Sequence, residues 1–266
     1  MIPTKKMTRF VPITPSEIID DTLEAVELGI NMVHLHAREL NTGLPTYKNE
    51  IYAEIIGGIR KYSKDLIICV STSGRNWSEF DKRSEVLDLK GIYKPDFGSL
   101  TLSSLNFNKQ ASINSPDMIV ALASKMLEND IKPELEVFDL GMINYAKYLI
   151  SKKLITPPYY FNLILGNIAC AQANMLSFGL MENELPENSI WSAGGVGDSQ
   201  LKINTMSLLS GGGVRVGLED NIWYDKERTK HASNKDLLKR IKNIAETFGK
   251  EPFTHKEARA VVGLSN

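Results

Sequence analysis

Two histidines separated by one residue, His34 and His36, stand in the apolar run Val33-His34-Leu35-His36-Ala37-Arg38. On an extended strand alternate side chains share a face, so both imidazoles point the same way, about 6–7 Å apart along the strand. That separation suits two ligands converging on one metal ion. Having two of the chain's four histidines on one strand face favours a metal site over a pair of core histidines satisfied by hydrogen bonds. A second cluster, GVRVGLEDN, spans residues 213–221. Glu219 can add a carboxylate oxygen to a His-His pair, completing the three-protein-ligand set of an open catalytic zinc site. Asp220 beside it is a candidate general base. Arg215 can orient Asp220 or clamp a substrate carboxylate bidentately. A surface salt bridge or helix-start charge is the competing reading of the same three residues.

Weaker signals surround these two. Ser71-Thr72-Ser73-Gly74 follows an apolar strand and Ser99 sits within another, so hydroxyls and backbone N–H groups there can hold a carboxylate, or else only cap turns. Glu134 and Glu136 alternate with Leu135 and Val137, and two carboxylates on one strand face are costly to bury unless paired or working. Glu136 is therefore a candidate pocket carboxylate, with a structural ion pair as the alternative. The turn Gly194-Gly195-Val196-Gly197 follows a late strand, a place where loops bind phosphate groups, so Gly194, Gly195 and Gly197 are candidate cofactor contacts. Cys69 and Cys170 have apolar neighbours and read as core thiols; His231 and His255 read as solvated.

The elements that must position these residues alternate. Thr14-Pro15-Ser16-Glu17 is a capping box with Pro at the first helical position, and the helix it opens ends near Gly29. Strands are predicted at 31–38, 65–72, 97–102, 134–139, 160–165, 190–193 and 214–218. Helices are predicted at 50–63, 77–89, 116–129, 142–154, 170–184, 201–209, 234–248 and 255–262. Helices and strands alternating at this spacing imply a parallel sheet of right-handed βαβ units. An eight-fold β/α barrel fits best, but the pattern starts with a helix and holds seven strands, one short. An open doubly wound sheet tolerates seven strands, yet no Gly-rich phosphate turn follows an early strand. The missing strand carries a further expectation: Met1 is an internal methionine of a longer protein. If Met1 were the true start, low stability and doubtful activity would follow.

Bulk composition narrows the class. The 266 residues hold 31 Lys+Arg and 32 Asp+Glu, a net charge of −1, which offers no electrostatic footprint for nucleic acid or an anionic membrane. Nothing approaches the ~20 apolar residues of a membrane span, and no apolar segment follows the basic residues near the start as in a signal peptide. Two cysteines make no disulfide scaffold, which fits a reducing, cytoplasmic setting. No linker interrupts the chain, so one domain is expected over residues 1–266.

Together, VPITPSE (11–17), VHLHAR (33–38), STSG (71–74), KPELEVFDLGMI (132–143), AGGVG (193–197) and VRVGLEDN (214–221) resemble the β-keto acid cleavage enzymes, over nearly the whole chain. The resemblance implies a (β/α)₈ barrel, one zinc ion per subunit and a homo-oligomer, usually a tetramer. It implies zinc on His34, His36 and Glu219, Asp220 as base held by Arg215, Ser71 at the substrate carboxylate, Ser99 in place of a threonine hydroxyl, and Glu136 in the substrate pocket. The implied reaction condenses a β-keto acid with acetyl-CoA and releases acetoacetate and a new acyl-CoA, through a C2 carbanion formed by Asp220 and stabilised by zinc as a Lewis acid. Two departures stand out. The family's first strand would precede Met1, and Ile2 falls where the founding enzyme has a glutamate suited to an amino-bearing substrate. A zinc-dependent aldolase or hydrolase without acetyl-CoA, and a non-catalytic degenerate barrel, are the other two readings.

Overall fold

The computed structural model describes residues 2–264. Helix α1 (Pro15–Glu27) comes first, opened by the expected capping box: Thr14 accepts from the Glu17 N–H, and Glu17 accepts from the Thr14 N–H. Then follow β1 (Met32–Leu35), α2 (Asn49–Arg60), β2 (Ile67–Val70), α3 (Phe80–Ser84), β3 (Phe97–Thr101) and a small hairpin of β4 (Leu105–Asn106) and β5 (Ala111–Ser112). The second half holds α4 (Pro116–Glu128), β6 (Lys132–Val137), α5 (Leu140–Ser151), β7 (Tyr159–Leu165), α6 (Met175–Asn183), β8 (Ser189–Gly195), α7 (Gln200–Ser210), β9 (Gly213–Val214), α8 (Asn234–Thr247) and α9 (His255–Val261).

Seven strands form one sheet in the order β1-β2-β3-β6-β7-β8-β9, and each neighbouring pair is parallel. Strand order follows chain order throughout. A doubly wound sheet would reverse direction at a switch point, so the winding is that of a barrel with one strand fewer than eight. β1 and β9 are its unpaired edges. Outward-facing Leu35, Ile68, Val70, Leu100, Leu135, Val137, Phe161 and Leu163 pack under the helices as the main core. Inward-facing Ile67, Cys69 and Phe97 meet Ala258 and Val262 at the α9 end, so the terminal helix plugs the floor of the sheet.

Several predicted elements end elsewhere. The strand expected at 214–218 pairs only at Gly213–Val214, and from there the Asn204 side chain of α7 takes the Arg215 carbonyl. The helix expected at 77–89 is α3 followed by a 3₁₀ turn at Glu85–Asp88, with Trp77 edge-on against Tyr47 in the preceding loop. The helix expected from 170 starts at Met175, capped by Asn174. Cys170 therefore lies half-buried in a loop at the margin of the main core, where the Asn167 side chain contacts its sulfur. His231 is not merely solvated: its ring packs 4.3 Å from Trp223, and His255 Nε2 lies 2.9 Å from the Ile30 carbonyl.

Residues 2–13 form the loop that leads into α1. Val11 and Ile13 are buried, and Phe10 packs on a small cluster of Leu218, Ala232 and Leu237. The outer helices close across the open edge. Asn234 donates to Asp21 of α1 at 2.6 Å and accepts from the Leu218 N–H at 3.0 Å, and Lys235 pairs with Glu24.

Candidate active site

β1 ends at Leu35, so His36, Ala37 and Arg38 emerge past the last ladder pair. The two imidazole rings share one face as expected, with centroids 4.8 Å apart. Glu219 follows the opposite edge strand, yet its Oε2 lies 3.0 Å from His36 Nε2. The curl of the sheet thus brings its two unpaired edges together at the strand C-termini, where barrel enzymes carry their chemistry. Ligand atoms of His34, His36 and Glu219 all lie within 4.8 Å of one another. Two imidazoles and one carboxylate are a donor set suited to a divalent metal.

The surroundings fit that use. Glu134 Oε2 lies 2.6 Å from His34 Nδ1, which leaves Nε2 for an ion, the usual orientation of a ligating histidine by a carboxylate. Burial, the largest influence on His36, lowers its pKa to about 4, so the ring is neutral and has a lone pair to give. Burial opposes the charge of Glu219, but His36, Arg215 and Arg75 outweigh it and hold the carboxylate well below its ordinary range. Arg75 Nη2 donates to Glu219 Oε1 at 3.0 Å while its guanidinium stacks over Phe107.

Arg215 organises the rest. Its Nε donates to Asp220 Oδ2 at 3.0 Å and its Nη2 to Glu219 Oε2 at 3.0 Å, and its Nη1 lies 3.5 Å from Glu136 Oε1. Burial alone would lower its pKa, but Asp220, Glu219, Glu134 and Glu136 together raise it well above the usual value. Glu136 moves the other way: burial raises its pKa more than Arg215 lowers it, and Thr101 Oγ1 donates to it at 2.7 Å. Asn162 donates to Glu134 at 3.0 Å, and the Cys69 thiol, pushed up by burial, sits 3.3 Å from the same carboxylate.

Two chambers meet at this cluster. An inner one is lined by His34, His36, Ser71, Ser99, Thr101, Glu136 and Glu219. An outer one runs past Ile2, Arg38, Tyr47, Tyr52, Trp77 and Lys82, and shares His36, Ser71, Arg75 and Glu219 with the inner. Ser71 thus stands between both. Ser99 Oγ accepts from the Thr72 N–H at 3.1 Å. Gly74 lines neither chamber; a side chain there would overlap the Ile113 carbonyl, so its role in the structure is close loop packing. Gly194, Gly195 and Gly197 line neither chamber either. A Cβ on Gly194 would come within 2.9 Å of the Arg215 carbonyl, and Gly197, at φ +60°, donates its N–H to the Asp220 carbonyl at 2.8 Å. The turn therefore seats Arg215 and Asp220.

Sequence reasoning missed Arg75, and gave Glu134 no role of its own. Glu134 had a signal in its alternation with Glu136. Arg75 had none, since its partner Glu219 lies 144 residues away.

A family model described as beta-keto acid cleavage enzyme matches residues 1–264. A 3-keto-5-aminohexanoate cleavage enzyme of Fusobacterium nucleatum subsp. nucleatum is 34% identical over 262 residues, covering 98% of this chain and 93% of the relative. A 3-oxoadipate:acetyl-CoA acetyltransferase of Cupriavidus necator is 34% identical over 266 residues, covering 99% and 91%. A 3-dehydrocarnitine:acetyl-CoA trimethylamine transferase of Rhizobium meliloti is 28% identical over 280 residues, covering 98% and 93%. Among solved structures, ObcA in binary complex with oxaloacetate superposes with a TM-score of 0.84 at 20% identity, covering 97% of this chain and 68% of that one, which supports the fold.

Proposed function

The chain belongs to the β-keto acid cleavage enzyme family, and on that premise we propose that it condenses a β-keto acid with acetyl-CoA and releases acetoacetate and a new acyl-CoA. The observation that carries the reading is the Arg215–Asp220 contact beside the His34, His36 and Glu219 triad, at the mouth of the barrel. Asp220 takes the proton from C2 of the β-keto acid. Arg215 holds its carboxylate in place through Nε to Oδ2, and Oδ1 is the oxygen assigned to the proton. The resulting carbanion attacks the acetyl-CoA thioester and expels CoA thiolate. The thiolate then attacks the original keto carbon, and the C2–C3 bond breaks to give acetoacetate and the acyl-CoA. Ser71 and Ser99 are assigned to the substrate carboxylate in the inner chamber, and Glu136, tied to Thr101, to its wall. A divalent ion, zinc in this reading, is held by His34, His36 and Glu219 and when bound supplies Lewis-acid stabilisation of the developing enolate.

No protein nucleophile is needed, in keeping with Cys69 sealed in the interior and Cys170 far along a loop. The acetyl-CoA entry path includes the loop after β8 in this reading, with Gly194, Gly195 and Gly197 serving as backbone framework and Gly74 as framework on the other side. A cytoplasmic homo-oligomer, a tetramer by family likeness, completes the proposal; the exposed Ile168, Met175, Leu176 and Leu180 around α6 are apolar side chains that such an assembly covers.

The test is an omission assay. Acetoacetate is expected only when a β-keto acid, acetyl-CoA and metal are all present, with turnover lost after chelation and restored by zinc. Cleavage without acetyl-CoA would instead establish an aldolase or hydrolase. Metal uptake with no turnover of any β-keto acid would establish a degenerate barrel.

A further inference from the structure

The two chambers join at His36, Ser71, Ser73, Arg75 and Glu219, which line both. Arg75 is the only Lys or Arg among the described residues that does so. Its guanidinium stands 4.3 Å from the centre of the Phe107 ring, its Nη2 donates to Glu219 Oε1 at 3.0 Å, and the side chain is 16% exposed. Stacking and the ion pair fix the plane of its donors before any substrate arrives. The other cations stand elsewhere. Arg38, Lys82 and Arg83 line the outer chamber alone, and Lys82 pairs with Glu79 at 2.6 Å. Arg215 lines neither chamber and is tied to Asp220 and Glu219.

The reaction proposed above develops negative charge on two oxygens. The first belongs to the keto group of the β-keto acid and is assigned to the metal triad. The second belongs to the thioester. As the C2 electron pair forms the new C–C bond, the carbonyl π pair moves onto oxygen. It returns when the C–S bond breaks and CoA leaves as thiolate with the bonding electrons. An oxyanion of this kind calls for a preorganised donor. The loop after β2 gives its backbone donors to its own hydroxyls and to Ser99. The Thr72 N–H goes to Ser99 Oγ at 3.1 Å, the Ser73 N–H to Ser71 Oγ at 3.3 Å and the Arg75 N–H to Ser73 Oγ at 3.3 Å.

We infer that Arg75 is a catalytic residue of the acyl-transfer step, its guanidinium donating to the thioester oxygen as that oxygen becomes an anion. The inference rests on the reaction read above. A guanidinium carries five N–H donors, so it can serve Glu219 and a substrate oxygen together.

The test separates proton removal from acyl transfer in the zinc-loaded enzyme. The probe is whichever of 3-oxohexanedioate, 3-oxohexanoate and 5-amino-3-oxohexanoate the wild type turns over fastest. Exchange of its C2 hydrogens in D₂O is followed by NMR without acetyl-CoA, and acetoacetate formation with it. Arg75→Gln is expected to lower kcat for acetoacetate about 10²–10³-fold, the usual cost of one oxyanion donor, with C2 exchange within about threefold of wild type. Its zinc content is expected to match the wild type. Arg75→Lys keeps a charge beside Glu219 without the planar fork and is expected to recover part of the rate. Unchanged kcat in Arg75→Gln overturns the inference. So does a fall in C2 exchange and zinc affinity equal to the fall in turnover, which would make Arg75 a brace for Glu219. A loss confined to KM for the β-keto acid overturns it too, as the mark of a carboxylate clamp. If the wild type forms no acetoacetate from any of the three acids, the proposed reaction fails and takes the inference with it, a result distinct from an active wild type with an equally active variant.

Discussion

One guanidinium, Arg215, holds two carboxylates: Glu219, which also lies against His36, and Asp220, the proposed base. Asp220→Asn keeps the shape of the contact and removes the site of proton transfer. Turnover is expected to fall about 10²–10⁴-fold, the usual share of a general base, with metal content unchanged, as read by acetoacetate formation and elemental analysis of the same samples. Glu134 acts one step back, through His34 Nδ1. Glu134→Gln is expected to weaken metal binding about 10–100-fold, measured by chelator competition; undiminished affinity would show that His34 needs no such partner. At this scale the clustering of the candidate ligand and base residues was legible because their spacing is local: His34 with His36, and Arg215 with Glu219 and Asp220. Glu134 reaches His34 across 100 residues of chain, and no local pattern encodes that meeting.

Among the elements, α1 shows how completely local signals can act. The hydrogen bond from Lys5 Nζ, with N–H donation from Ile13 and Thr14, holds the Glu17 carboxyl at about 2 against an ordinary 4.5. A depressed carboxyl stabilises the fold above its ordinary pKa and loses that contribution as pH falls from about 4.5 toward 2. Glu17→Gln should therefore flatten the pH dependence of the melting temperature across that window and leave its shape above pH 5 unaltered. The segment after β9 is held in a way no local pattern announces. Beyond the Arg215 N–H bond to the Ala193 carbonyl its pairing with β8 stops, and buried side chains of α7 take over. Asn204 donates to the Ala193 and Arg215 carbonyls at 3.0 and 2.7 Å, Gln200 to Gly217 at 2.9 Å, and Ser207 to Gly213 at 2.5 Å. Asn204→Leu fills the volume and removes both donations, so unfolding free energy should drop by about 1–3 kcal/mol, and turnover should fall with Arg215 unmoored. A urea titration alongside the acetoacetate assay reads both.

At the scale of the whole molecule, seven strands leave β1 and β9 unpaired, and two devices span the opening. Side chains do so at the active face, through His36 and Glu219, and helices do so outside, through Asn234 between Asp21 and Leu218. Asn234→Leu breaks both outer bonds and strands buried partners. A loss of about 1–3 kcal/mol in urea unfolding is expected, larger than for Lys235→Ala at the exposed ion pair to Glu24. The alternation of helix and strand, the barrel class, the short strand count and the candidate metal-ligating and base residues all follow from the sequence, because hydrophobic period, caps and neighbouring side chains on one strand are local facts. Three things had to wait for the tertiary structure. These are the meeting of the first and last strands at one cluster, the seating of Arg215 and Asp220 by α7 and the glycine turn, and the placing of Arg75 beside Glu219. Each depends on which distant segments the curl of the sheet brings within a few ångströms, and that closure is a property of all seven strands together.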